Sequence, residues 1–65
     1  MKIVLNGDEM ETECGTLHEL LEFLEHKSES VATAVNKEFV PLSERMSVKL
    51  ESGDLIEIIA PMSGG

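Results

Sequence analysis

Residues 2–24 read KIVLNGDEMETECGTLHELLEFL, and the spacing of the apolar side chains changes once within them, at Gly15. Before Gly15 the repeat is two. Lys2 to Leu5 is a short aliphatic and β-branched run, followed at once by Asn6-Gly7, a dipeptide that tolerates the positive φ angles of a type I′ turn. On the return, Glu9, Glu11 and Glu13 alternate with Met10, Thr12 and Cys14, which sends the carboxylates to water and the other three side chains inward. The first two strands are therefore predicted to be antiparallel. After Gly15 the repeat becomes helical, because Leu17, Leu20, Leu21 and Leu24 fall at i, i+3, i+4 and i+7 and make one stripe with Phe23 at its margin. Thr16 and Glu19 have the spacing of a capping box, so the helix is expected to start at Thr16. It is expected to fade around Glu25 to Lys27 after about three turns, with His26 and Lys27 near the negative end of its dipole and a polar link from Ser28.

Downstream, Val31 to Val35 reads as a third strand, and Asn36-Lys37-Glu38 as a turn in which Asn36 takes a left-handed conformation. Phe39 and Val40 begin a short strand that Pro41 ends, since proline has no amide hydrogen for a ladder. Ser43 to Lys49 is polar and reads as a loop with at most a short helical turn. Ser52-Gly53-Asp54 then turns the chain into Leu55 to Ala60, an apolar strand interrupted only by Glu57. The order is hairpin, helix, strand, short strand, final strand, an α+β pattern with one helix across one sheet face. The first and last strands are nearly continuously apolar, which predicts central positions covered on both faces, paired in parallel because the helix intervenes. These features match a β-grasp arrangement, a mixed sheet of four to five strands over residues 1–60, with residues 61–65 as a flexible tail.

The 65 residues and 7.1 kDa fit one small domain, which excludes a two-domain enzyme. A hydrophobic fraction of 42% supports a packed core. Thirteen Asp and Glu against five Lys and Arg give a formal charge of −8, which repels phosphate backbones and anionic lipid, so neither nucleic acid nor membrane is an expected partner. The same surplus suits steering toward a basic docking surface or plain solubility, and charge alone does not choose between them. Cys14 is the single cysteine, so an internal disulfide and a thiolate metal cluster are excluded, and a reducing cytoplasm is the expected compartment. No secretion signal or membrane-spanning run is evident. The free chain is expected to be a monomer.

Single residues with chemical potential mostly have plainer readings. Cys14 lies on the inward phase of its strand with no activating base near it in sequence, and reads as a small buried hydrophobe. His18 and His26 lack the helical spacing of a metal pair, so no metal site is expected. The row Glu9, Glu11, Glu13 reads as the wet face of an edge strand. Met46 and Met62 read as adaptable contacts, Met46 equally as a loop anchor. No phosphate-cradling loop, serine elbow or basic-aromatic pattern is present. The remaining signal is the tail, Pro61-Met62-Ser63-Gly64-Gly65. Pro61 stops the ladder, five extended residues span roughly 16 Å, and paired glycines pass a constriction that side chains would block.

Several segments match one family: Met1-Lys2-Ile3-Val4-Leu5-Asn6-Gly7, Val31-Ala32-Thr33-Ala34-Val35-Asn36, Val40-Pro41 followed by Ser43-Glu44, Ser52-Gly53-Asp54 leading into Ile56-Glu57-Ile58, and the terminal Gly64-Gly65. In these the whole chain resembles the ThiS-type sulfur carriers of thiamin biosynthesis, within the ubiquitin-like group that includes MoaD. Lys37 departs from the glycine that many relatives have in that turn, and Pro61-Met62-Ser63 from their commoner glycine-rich lead-in, which bears on partner choice rather than on carrier chemistry. The resemblance implies a protein cosubstrate and not an enzyme. An E1-type adenylyltransferase, ThiF-like, would use ATP to activate the Gly65 carboxylate, the carrier itself binding no cofactor. Sulfur from a donor such as a cysteine desulfurase would replace AMP, and a ThiG-like thiazole synthase would consume the thiocarboxylate. Gly65 is then the reacting residue, Gly64 gives clearance, and Pro61, Met62 and Ser63 set the exit and touch the channel. Docking is expected on the sheet face away from the helix, where Val4, Leu55, Glu57 and Ile59 lie together if Ile56 and Ile58 point to the core. The alternatives are a MoaD-like subunit donating sulfur to molybdopterin, and a non-covalent ubiquitin-like module whose tail is idle.

Overall fold

The computed structural model describes residues 1–25 and 30–60. Strand β1 (Lys2–Leu5) turns through Asn6 and Gly7 into β2 (Asp8–Glu11), and helix α1 (Leu17–Phe23) follows. Strands β3 (Ala32–Val35) and β4 (Glu38–Val40) form a second hairpin, a 3-10 turn covers Leu42–Glu44, and β5 (Leu55–Ile59) comes last. The sheet order is β2-β1-β5-β3-β4, with β1 and β5 parallel and the other neighbours antiparallel. The last strand in sequence is thus the middle strand in space, as expected for a β-grasp sheet.

Both hairpins turn through left-handed backbone. Asn6 and Gly7 have φ of 49° and 89°, the type I′ geometry expected of Asn-Gly. Asn36 and Lys37 repeat it at 53° and 70°, with a lysine where glycine would be unstrained. The core lies between α1 and one sheet face. Leu17, Leu20 and Leu21 bury against Ile3, Val40, Ile56 and Ile58, with Val31 and Leu50 closing the margins. The expected capping box forms: Thr16 Oγ1 accepts from the Glu19 amide at 3.1 Å, and Glu19 Oε1 accepts from the Thr16 amide at 3.1 Å.

Two expectations need correction. The helix ends at Phe23, not at Glu25 to Lys27, because Glu25 adopts φ 63° and reverses the chain, while its amide closes on Glu22 O. His26, Lys27 and Ser28 lie outside the described residues. Strands β1 and β5 occupy inner positions but are not covered on both faces. Strand β5 alternates strictly, with Ile56 and Ile58 buried and Leu55, Glu57 and Ile59 exposed, since a single helix covers only one face of the sheet. Residues 43–49 are, as expected, a loop with one short helical turn, and its end is tied to the helix start: Thr16 and Lys49 bridge antiparallel, Leu17 N donates to Val48 O, and Leu50 N donates to Gly15 O.

Candidate functional site

The open sheet face collects the residues expected to dock. Val4 pairs with Leu55, Ala34 pairs with both Glu57 and Phe39, and Ala32 pairs with Ile59. Side chains alternate along a strand, so burial of Ile56, Ile58, Thr33 and Val40 on the helix side sends their neighbours to the other side. The result is an apolar surface of Leu55, Ile59 and Phe39, 40%, 61% and 70% exposed, over the small floor of Ala32 and Ala34 with half-buried Val4 beside them. Glu57 stands in its middle and makes no ion pair among the described residues, which leaves its carboxylate available to a cation on a partner. Sequence reasoning gathers Val4, Leu55, Glu57 and Ile59 but misses Phe39, the most exposed apolar side chain on this face. The signal is there: with Val40 inward, alternation alone turns Phe39 out.

The opposite edge has different business. Glu9 pairs with Lys2 at 3.9 Å and Glu11 with the terminal amine at 3.5 Å, so the acidic row of β2 is partly neutralised from within the chain. A shallow cavity of about 610 Å³ lies where β2 leads to α1, between Met1, Thr12, Cys14 and Phe23 with glutamates at its rim. Two of its three carboxylates are engaged: besides Glu11, Glu19 Oε1 accepts the Gly15 amide at 2.7 Å as well as Thr16. Cys14 is half-buried against the core, in line with its reading as a small hydrophobe. His18 Nε2 lies 3.4 Å from Glu22 Oε2, one helical turn away. Met46 is exposed, so it is no loop anchor. Among the described residues no three His, Cys, Asp or Glu side chains converge as a metal set. None of their helices is long and apolar enough to cross a membrane.

Pro61, Met62, Ser63, Gly64 and Gly65 lie outside the described residues. The described chain shows where they start. Strand β5 runs parallel to β1 and past its end, and the side chain of Asn6 meets it there: Oδ1 accepts from Ile58 N at 2.9 Å and Nδ2 donates to Ile58 O at 3.2 Å.

A family model described as the ThiS family matches residues 3–65. The chain belongs to the ThiS family. It is 33% identical over 66 residues to the sulfur carrier protein ThiS of Escherichia coli strain K12, with all of both chains covered. It is also 39% identical over 66 residues to a thiazole synthase of Paramagnetospirillum magneticum strain AMB-1, where the match covers all of this chain but 20% of that protein. Among solved structures, the crystal structure of the thiamine biosynthesis protein ThiS from Geobacter metallireducens aligns over the full length of both chains with a TM-score of 0.85 at 25% identity. The solution structure of a thiamine biosynthesis protein from the same organism aligns with a TM-score of 0.82 over 88% of its chain. This ThiS-family chain therefore has the β-grasp fold, and its place is among the small sulfur carrier proteins of thiamin biosynthesis.

Proposed function

We propose that this carrier transports sulfur as a thiocarboxylate on Gly65 and delivers it for thiazole formation. The observation that carries the reading is that the family match runs through residue 65, so it takes in the paired glycines as well as the folded body. A carboxylate is a poor electrophile and must first be activated. One of its oxygens attacks the α-phosphorus of ATP, pyrophosphate leaves, and an acyl-adenylate results. Sulfur at the hydrosulfide level then forms a C–S bond to the acyl carbon while the C–O bond to AMP breaks, and AMP departs. The enzyme for the first step is a ThiF-like adenylyltransferase, and a cysteine desulfurase is a suitable sulfur source, provided that a thiol reductant brings its persulfide sulfur to the hydrosulfide level and is itself oxidised to a disulfide. A ThiG-like thiazole synthase is the consumer, and the similarity to a stretch of a thiazole synthase supports that pairing.

The carrier's own contribution is positioning. Phe39, Leu55 and Ile59 supply apolar contact area, Glu57 an orienting charge, and the tail a tether that holds one acyl group at high effective concentration inside the partner. Pro61 has no amide hydrogen to continue a ladder, and Gly64 has no Cβ to jam a narrow channel. The test is intact-mass measurement of the protein taken from its own cell. A gain equal to one oxygen-for-sulfur exchange, localised to Gly65, is expected. A chain that never carries it, in cells making thiamin through this protein, refutes the reading, as does sulfur transfer that survives deletion of Gly65.

A further inference from the structure

Strand β5 is gripped at both ends by asparagine side chains, one from each hairpin turn. In the parallel ladder Val4 N donates to Asp54 O and Asn6 N to Ile56 O, both at 2.9 Å. A ladder continued straight would next have the Asn6 carbonyl accept from Ile58 N. Asn6 cannot supply it, because its φ of 49° turns the backbone into the hairpin. Its carboxamide takes over: Oδ1 accepts from Ile58 N at 2.9 Å, and Nδ2 donates to Ile58 O at 3.2 Å. Asn36 repeats the device on the other edge of β5 and at its other end. There φ is 53°, Asn36 N donates to Leu55 O at 2.7 Å, Oδ1 accepts from Leu55 N at 3.1 Å, and Nδ2 donates to Asp54 Oδ1 at 3.0 Å. The two residues are matched in backbone and in bond count. Asn36 secures the start of β5, and Asn6 secures the end from which the tail departs.

We propose that Asn6 is a positioning residue for the transfer chemistry: by replacing a missing rung of the ladder it fixes the point and direction from which residues 61–65 leave the body. The inference rests on the sulfur-carrier reading. A tether places its end group well only if its origin is fixed. Without Asn6 the amide and carbonyl of Ile58, which face the β1 edge, lose their partner and only the flanking Glu57 and Ile59 stay bonded to β3, so the end of β5 acquires freedom that lengthens the effective tether and scatters its direction, and misplacement of the acyl group by about 1 Å is enough to slow its reaction.

The test compares Asn6→Gly with Asn36→Gly. Both keep the positive φ without strain, and each loses two side-chain hydrogen bonds to β5 or its entry turn. Amide exchange is read first: Ile58 is expected to exchange faster in Asn6→Gly and Leu55 in Asn36→Gly, and an unchanged Ile58 overturns the proposal whatever the enzyme assays give. ATP–pyrophosphate exchange by the cognate adenylyltransferase is then measured against carrier concentration. Asn6→Gly is expected to lower kcat about fivefold with KM within about twofold, whereas Asn36→Gly leaves kcat within about twofold of the parent. Equal kcat losses in the two variants, or an Asn6 effect confined to KM, overturn the positioning role. A parent chain that supports no exchange overturns the carrier reading instead, and the Ile58 exchange rate still decides the anchor.

Discussion

Arg45 is 3% exposed and donates from Nε to Thr33 Oγ1 at 3.1 Å and from a terminal nitrogen to Val31 O at 2.7 Å. Thr33 Oγ1 in turn donates to Val40 O at 2.9 Å, so one guanidinium ties the segment after the 3-10 turn to β3 and, through the threonine, to β4. Replacing it by alanine leaves a buried hydroxyl and a carbonyl short of a donor and opens a void. Arg45→Ala is expected to cost about 2–4 kcal/mol, read from the urea midpoint with unchanged m-value. Nothing in the sequence announces this residue, because an arginine in a polar stretch reads as surface and its partners lie twelve and fourteen positions away. Lys37 is the converse, a residue whose turn is legible from the neighbouring asparagine alone. It sits at φ 70° in a turn position where a side chain is strained, and Lys37→Gly is expected to raise stability by about 0.5–1 kcal/mol in the same titration.

Helix α1 has seven residues, too short to persist by propensity, so its stability comes from the three leucines it buries. Its start is legible to the residue because a capping box is a local device, two side chains and two amides within four positions. Its end is not, because that depends on a left-handed Glu25, which no side-chain pattern marks. Glycine is the usual occupant of that position. Glu25→Gly is expected to stabilise the fold by about 0.5–1 kcal/mol, seen as a higher thermal midpoint with the helical circular-dichroism signal retained. The polar segment 43–49 shows the same division. Its composition predicts the loop and short helical turn that form, but not that Val48 and Lys49 pair with the start of α1 as the chain returns Leu50 to the core before entering β5.

At the scale of the molecule, one helix on a five-stranded sheet leaves one face open, and this face carries Phe39, Leu55 and Ile59 around Glu57. If it docks the activating enzyme, the double substitution Phe39→Ser and Ile59→Ser is expected to raise KM for the carrier in ATP–pyrophosphate exchange at least tenfold. Stability is expected to change by no more than about 1 kcal/mol, since neither side chain fills the core. An unchanged KM places docking elsewhere. The amino-acid order alone determined whatever acts over a few positions: the periods of strand and helix, the Asn-Gly turn and the cap. Which faces of β1 and β5 stay bare and how Asn6 reaches Ile58 across 52 positions were decided only when the chain closed on itself. Hydrogen bonds and burial between distant segments depend on the register of the whole sheet, and no local pattern encodes that register.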